Sequence, residues 1–506
     1  MRGFRLSHSR DTANLVADDG SFRIDDDICQ LTRLQTEPFI SNRKSIRNHW
    51  KVPVSTTSML LAREANHFGR GRFSLADRSH VLGRYLPMDS PSHTERMYSE
   101  AYTSQFSIDG SLFIVGLKGS LIKIYNVEKG WKVQKDINAR SLRWTITDTA
   151  LSPDQRQLVN FNMIPLVYSS LTPIVHLVNV WSATTDSQAN ITVRLTEIHE
   201  ALDFSGGDGE IFNTYSIKFS TDGRELVAGS STNSIYVYDL EANKLSWRLR
   251  AHSDDVNTVS FADRTGQILF SGSDDNLCKV SSMTAFLQEW HSSTLNPYVH
   301  FSITSKMLLN FVFLVWDRRC FAATEKPAGV LEGHLEGITF IDSRGDGHYL
   351  ISNGKDQTTK LWDIRKMSST TKLSTRKTGF DYRWMEYPEQ DRKLKHPYDQ
   401  SVATYRGHSV LGTLIRCYFS PAHSTGQRYI YTGSFDNHVY IYDVVNGQTV
   451  ARLEWHSEII RDCSWHPYFP MLMSSSLDCF IARWEFPGNS PSPQLAKKRH
   501  RRRHAA

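Results

Sequence analysis

The stretch Gly333–Arg365, GHLEGITFIDSRGDGHYLISNGKDQTTKLWDIR, decides the fold. It opens on Gly333-His334 and closes on Leu361-Trp362-Asp363, with Asp356 six positions ahead of the tryptophan. Between these marks, short β-branched and aromatic runs alternate with Gly/Asp/Ser turns, the signature of short strands. The same frame recurs. Gly407-His408 opens a unit that ends at Ile441-Tyr442-Asp443, with Asp436 six positions before Tyr442. His456 opens one that ends at Arg483-Trp484-Glu485, with Asp478 six before Trp484, and His252 opens another containing Asp275. The fixed spacing has a physical reading: a tight turn presents the aspartate to the opening histidine, and six residues carry the next strand to its aromatic. Self-similarity at this period means a repeat architecture.

These units closely resemble WD40 repeats. That resemblance implies a buried hydrogen-bonded network in each blade, with His252, His334, His408 and His456 facing Asp275, Asp356, Asp436 and Asp478. Ser352, Thr432 and Ser475 are the hydroxyl members, and Trp362 and Trp484 close the set. Such a network rigidifies only when every member is satisfied. A hydrolase triad is the competing reading of His, Asp and Ser. The set recurs blade after blade, whereas a catalytic site occurs once, and no GxSxG elbow accompanies it. The expected fold is therefore all-β, a seven-bladed WD40 β-propeller over 96–488. Blades are expected at Tyr98–Val127, Ser141–Val180 and Tyr215–Leu240, then from His252, His334, His408 and His456. The first three lack a full His/Trp set. Ring closure would remove the exposed edges that isolated four-stranded sheets carry.

The period breaks twice. The closing acidic residues Asp239, Asp317, Asp363, Asp443 and Glu485 lie 78, 46, 80 and 42 positions apart, whereas one unit takes roughly 40–45 residues. In the fourth unit Asp275 should meet a tryptophan six positions on, but Ser281 stands there and Trp316 arrives 35 positions late. Removing 281–315 would join Val280 directly to Trp316-Asp317-Arg318-Arg319. An insert that cuts a strand is unusual, because loop tips are where insertions are tolerated. The reading is a retained intron or gene-model artefact, with a functional insert as the alternative. Asn160–Val167 is a smaller anomaly of the same kind. The second excess, about 366–405, is read as a long inter-blade loop. It carries Phe380, Tyr382, Trp384, Met385 and Tyr387. Loops of this length are usually functional or disordered, and the aromatics point to packing on the propeller or on a partner.

Composition bounds the rest. The 506 residues are 40% hydrophobic and 22% charged, an ordinary soluble-globular balance. Part of the net charge of +6 sits in Lys497–Arg503, behind a Pro/Ser-rich stretch. Residues 489–506 are read as a disordered basic tail, serving nuclear import or loose nucleic-acid contact, or simply solvated. Six scattered cysteines without a CxxC pair indicate neither a metal site nor a disulfide framework. No cofactor is expected, and the chain reads as a soluble protein of the nucleus and/or cytoplasm. Its most apolar run, Met307–Val315, is too short to span a bilayer, which takes roughly 20 residues. Residues 1–95 lack the repeat and read as a mostly irregular extension. A short helix is expected near Asp25–Leu34, with acidic residues favouring its first turn, and another near Thr56–Asn66. Leu82, Tyr85 and Leu86 would lead onto the first blade.

Stretches outside the repeat carry a more specific resemblance. Asp381-Tyr382-Arg383-Trp384, Ser401-Val402-Ala403-Thr404-Tyr405 and Leu414-Ile415-Arg416-Cys417 are similar to the WD-repeat protein 23 family, which includes plant proteins of the LEC14B type. Gly333-His334-Leu335-Glu336-Gly337 with Asp342-Ser343-Arg344-Gly345-Asp346-Gly347 is similar too. The resemblance implies a non-catalytic substrate receptor of a cullin-4 RING ubiquitin ligase. It would dock on the damaged-DNA-binding adaptor and present a target protein that the sequence does not name. No membrane partner is implied, and nucleic acid is not expected as a principal partner. The family's adaptor-binding motif is a WDxR box at the end of a blade strand. Two stand here: Trp362-Asp363-Ile364-Arg365 and Trp316-Asp317-Arg318-Arg319. An arginine just past the closing dipeptide lies at the rim, where its planar fork can pair with carboxylates. The insert precedes the second box, so Leu277–Val280 could run on into Ser281 and Ser282, misplacing Arg319 and weakening adaptor binding. The alternative function is a non-ligase WD40 scaffold in a nuclear chromatin or RNA-associated complex. A propeller enzyme would need convergent carboxylates or histidines at the channel mouth, and none stands outside the repeating set.

Overall fold

The computed structural model describes residues 16–17, 21–37, 55–65, 71–87, 90–119, 121–138, 145–163, 174–180, 199–204, 212–282, 329–368 and 380–486. Among these, the strands form seven four-stranded antiparallel sheets and one two-stranded pair. The first sheet runs Ala101–Phe106, Leu112–Leu117, Leu121–Asn126 and Lys132–Asn138, and the second starts at Thr145–Leu151 and ends at His199–Asp203. The third covers Thr214–Phe219 to Lys244–Arg250, and the fourth Val256–Phe261, Ile268–Ser273, Cys278–Ser282 and Gly329–Leu331. The fifth holds Ile338–Ser343, Tyr349–Gly354, Thr358–Asp363 and Ala403–Arg406; the sixth runs from Cys417–Phe419 to Thr449–Glu454. The seventh holds Ile460–Trp465, Met471–Ser476 and Phe480–Glu485, and its outer strand is His93–Arg96.

The sheets follow one another around an axis in a β-propeller arrangement, stitched by hydrogen bonds between their innermost strands. Thr103 and Thr149 hydroxyls meet at 3.1 Å, and Ile217 N–H donates to Asp148 at 3.0 Å. Val259 N–H donates to Ser216, Ile341 N–H to Thr258 and Phe419 N–H to Asp342. Tyr418 OH donates to Asp462 at 2.8 Å, and Asp462 then accepts from Ser104 N–H at 3.0 Å. The last of these returns to the first sheet. Middle strands such as Leu112–Leu117, Tyr349–Gly354 and Thr358–Asp363 are buried along their whole length. A neighbour covers each face, so the polar/apolar alternation of a half-exposed strand disappears. The outer strand Thr449–Glu454 is mostly exposed instead.

Of the two period breaks, the second lands differently from the expected picture, and the first follows the alternative that the sequence left open. The excess at 366–405 is not an inter-blade loop: it joins the third and fourth strands of the fifth sheet, and its own residues 403–405 belong to that fourth strand. The reason is that the WD repeat is offset by one strand from the blade, so the closing dipeptide ends a third strand. Buried Lys360 ties the returning segment down, donating to Asp399 at 2.6 Å. In the fourth sheet the third strand does run on through Ser281 and Ser282, pairing Ser281 with Leu269. Trp362 and Trp484 face Leu350 and Leu472 in the same register, so Ser281 takes the tryptophan's place. The second strand of the second sheet, Gln157–Met163, includes the first four residues of the Asn160–Val167 anomaly; the remaining four lie outside the described residues.

Among the described residues, three helices precede the four-stranded sheets. Helix α1, Asp26–Thr36, has Asp26 and Asp27 in its first turn, where a negative charge favours the dipole. Its Ile28 is fully buried among Phe340, Tyr349 and Ile351 of the fifth sheet. Helix α2, Thr56–Glu64, is capped by the Ser55 side chain. A third, α3 at Leu75–Leu82, carries a Ser74/Asp77 capping box. The strand His93–Arg96 falls in the stretch read as extension. The C-terminal tail 489–506 lies outside the described residues. Among the described residues no helix is long and apolar enough to cross a membrane, and no cluster of metal-ligand side chains is found.

Candidate partner-binding rim

The blade network assembles fully in two sheets. His334 meets Asp356 through Nδ1 at 2.9 Å and Ser352 Oγ through Nε2 at 2.6 Å, and Trp362 Nε1–H donates to the same Oγ at 2.7 Å. His456 repeats this with Asp478 at 2.9 Å and Ser474 Oγ at 2.8 Å, and Trp484 Nε1–H donates to Ser474 at 2.8 Å. The serine of this set is therefore Ser474, not Ser475. Side chains alternate faces along a strand, so a slip of one residue reverses the face. Ser475 instead donates toward Ser104 and the Asp462 carbonyl, on the neighbouring blade's side. Burial alone would raise the Asp356 carboxyl, but the charges of His334 and Lys360 and the hydrogen bonds hold it below the usual carboxylate range.

Although Ser–His–Asp geometry is present, the serine hydroxyls accept from tryptophan and are fully buried. No substrate carbonyl can reach them, and the set can only brace the loops.

The fourth sheet holds three members: His252 meets Asp275 at 2.9 Å and Ser271 Oγ at 2.8 Å. The sixth sheet corrects the sequence reading outright. His408 Nδ1 meets Tyr442 OH at 3.0 Å and Nε2 meets Asn353 Oδ1 at 2.9 Å, with no bond to Asp436 or Thr432. A phenol reaches further than an indole N–H and takes the position that aspartate holds elsewhere. Asp436 accepts from Tyr440 OH at 2.6 Å, and the Thr432 hydroxyl donates to the Arg416 and Gly433 carbonyls.

At the rim, the first WDxR box forms a clamp. Trp362 is fully buried, and Asp363 ends the strand with its side chain 2% exposed. A short 3-10 turn, Ile364–Lys366, then swings Arg365 back over Asp363. Arg365 Nε lies 3.0 Å from both Asp363 oxygens, Nη2 reaches Oδ2 at 2.7 Å, and Nη2 donates to Tyr349 OH at 2.9 Å. Hydrogen bonding to Asp363 raises the guanidinium pKa further, so it stays charged. Half of the side chain remains exposed. The result is a planar donor fork fixed in orientation and half exposed. Sequence reasoning missed two neighbours. Asp27 of α1 comes within 3.3 Å of Arg365, and Asp25 pairs with Lys366. The acid run was visible, but nothing local said which surface it meets. Trp316, Asp317 and Arg319 of the second box lie outside the described residues.

The model of the WD domain, G-beta repeat family matches at 203–239, 243–280, 325–363, 399–443 and 447–485. The chain is similar to the LEC14B homolog of Prunus armeniaca, with 56% identity over 97% of this chain and 96% of that one. It is 55% identical to the LEC14B protein of Lithospermum erythrorhizon over 93% of this chain and 90% of that protein. The DDB1- and CUL4-associated factor 11 homolog of Caenorhabditis elegans is 32% identical over 80% of this chain and 64% of its own length. The repeats agree with the near full-length likeness to the two plant proteins, and the chain belongs to the LEC14B-type family of WD-repeat proteins, related to the DDB1- and CUL4-associated factor 11 homologues.

Proposed function

We propose that this chain is a non-catalytic substrate receptor of a cullin-4 RING ubiquitin ligase. The seven sheets act as the seven blades of a closed propeller whose rim, around Arg365, docks on the damaged-DNA-binding adaptor. The observation that carries the reading is the Arg365 clamp: a charged fork held by Asp363 and Tyr349 and half exposed at the rim. The name of the nematode relative, a DDB1- and CUL4-associated factor 11 homolog, supports it. Preorganisation matters here because ordering a free arginine side chain costs affinity, roughly 0.5–1.5 kcal/mol per immobilised side chain.

The test is a pull-down of the adaptor with the full chain and with Arg365→Ala. Loss of the adaptor with an unchanged melting curve supports the receptor. Full retention sinks the docking assignment and favours a scaffold without a ligase. A form lacking 281–315 should bind the adaptor more tightly than the present chain, because its second box would end an uninterrupted strand; equal affinity overturns this. We place the protein in the nucleus and/or cytoplasm, to be read from a fluorescent fusion with and without Lys497–Arg503.

A further inference from the structure

The long segment returning to the fifth sheet splits its aromatics between two directions. Phe380 packs edge-on against buried Tyr387 at 5.2 Å, and Tyr382 turns inward with its ring 4.0 Å from Lys355 Nζ. Within the same turn, Trp384 and Met385 point outward, 85% and 51% exposed. Trp384 N–H and Met385 N–H both donate to the Asp381 carbonyl, so the turn is closed on itself. It is also anchored from outside, because Gly412 N–H of the sixth blade's leading loop donates to the Tyr382 carbonyl at 2.8 Å. Gly412 approaches Ile459 and Phe435, and Phe435 is 43% exposed. Tyr382 thus gathers neighbours from several sheets at once, including Lys355 of the fifth and Asp274 of the fourth. A turn with that company lies over the mouth of the central channel.

The surroundings are acidic. Lys355 donates to Asp274 at 2.6 Å; Asp274 N–H donates to the Asp255 carbonyl, and Asp255 accepts from Tyr215 OH at 3.0 Å. Asp254 adjoins them, and exposed Glu458 sits beside Ile459. Burial and the nearby Asp274 and Asp254 charges raise the Asp255 carboxyl. Arg383 is neutralised within the turn by Asp381, at 2.9 and 2.8 Å. Asp254, Asp255, Asp274, Asp381 and Glu458 outnumber Lys355, Arg383 and the deeper Arg461. A solvent-facing tryptophan, in a turn that holds Asp381 and whose Tyr382 neighbours Asp274, suits an alkyl stem on the indole with a cationic head over its face.

We propose that the Asp381–Met385 turn and the channel mouth bind a lysine- or arginine-bearing segment of a partner protein, seated on Trp384 and Met385 and attracted by Asp254, Asp255 and Asp274. Calling that partner the degradation target rests on the receptor reading above; the binding itself does not. The chain as a whole carries net charge +6, so general electrostatics oppose a cationic peptide and only a local acidic surface would hold one.

The experiment is fluorescence anisotropy on the full chain, without adaptor, using three labelled probes: a Lys/Arg-rich peptide, a Glu/Asp-rich peptide of equal length and a single-stranded oligonucleotide. The basic peptide should bind, more weakly as salt rises. Trp384→Ala should weaken it about 5- to 10-fold, Trp384→Phe should recover most of that, and Asp255→Asn/Asp274→Asn should weaken it several-fold. Trp384 is exposed, so its substitutions should leave the melting curve unchanged, which verifies the fold. Preference for the acidic peptide or the oligonucleotide overturns the proposal, as does basic-peptide binding that Trp384→Ala leaves unaltered. An adaptor pull-down that fails while the peptide binds removes the receptor reading and leaves this surface standing.

Discussion

At the residue scale, the turn between the second and third strands uses one backbone device in several sheets. The residue after Thr232, Asp275, Asp356, Asp436 or Asp478 is left-handed: Asn233, Asn276, Gln357, Asn437 and Cys479 have φ between 60° and 69°. Asparagine tolerates this region better than other side chains, whereas most residues pay roughly 1–2 kcal/mol for it. Cys479→Asn should therefore raise stability by about 0.5 kcal/mol, read as a higher unfolding midpoint; a lower midpoint refutes the strain argument. A second prediction concerns Asp342, which accepts from Phe419 N–H of the sixth sheet at 2.8 Å. Desolvation pushes its carboxyl up to about 7 from 3.8. Between those values the folded chain keeps a proton that the unfolded chain releases, so stability falls as pH rises through the window and is flat above it. Asp342→Asn removes the penalty. The variant should match the parent near pH 4 and exceed it by on the order of 2 kcal/mol at pH 8, the full shift being discounted for solvent screening of a half-buried residue. A gap independent of pH in paired denaturation curves would rule out this titration.

The element scale is where the insert acts. The fourth sheet keeps His252, Asp275 and Ser271, but Ser281 stands opposite Leu269 where its sisters hold tryptophan. Deleting 281–315 brings Trp316 to that register, where its Nε1–H can reach Ser271 Oγ as Trp362 reaches Ser352. Burying an indole and completing one hydrogen bond should stabilise the chain by about 2–3 kcal/mol. Thermal unfolding of the two forms side by side decides it, and a shortened form no more stable than the present chain would mean that the insert supports its sheet. The position of this break was legible from spacing alone. The consequence that the third strand continues through Ser282 was only an alternative in the sequence, because a run such as Cys278–Ser282 carries no stop signal of its own.

At the scale of the whole molecule, the seventh sheet takes its outer strand from His93–Arg96, nearly four hundred residues earlier in the chain. Without it, Phe480–Glu485 becomes an unpaired edge, and exposed edges template association. A chain starting at Ala101 should therefore aggregate and melt lower, whereas one starting at Ser90 should retain the closing strand. Size-exclusion chromatography separates the cases; a monodisperse, equally stable Ala101 form would show that closure does not need the strand. The ring also explains why Arg416 can be buried. Asp148 of the second sheet and Asp462 of the seventh hold it at 2.8 and 3.2 Å across the channel, and no single repeat supplies both.

The sequence by itself determined the repeat, the His–Asp–aromatic spacing, the first rim box and the places where the period fails. All of these are local signals, readable within some forty residues. The tertiary structure alone decided which hydroxyl joins each network, that His408 turns to Tyr442, that acidic α1 meets Arg365, and that one turn sets Tyr382 against Lys355 while exposing Trp384. Each depends on strand parity or on partners far apart in the chain. Local spacing constrains such contacts without choosing among them, and only ring closure brings both sides together.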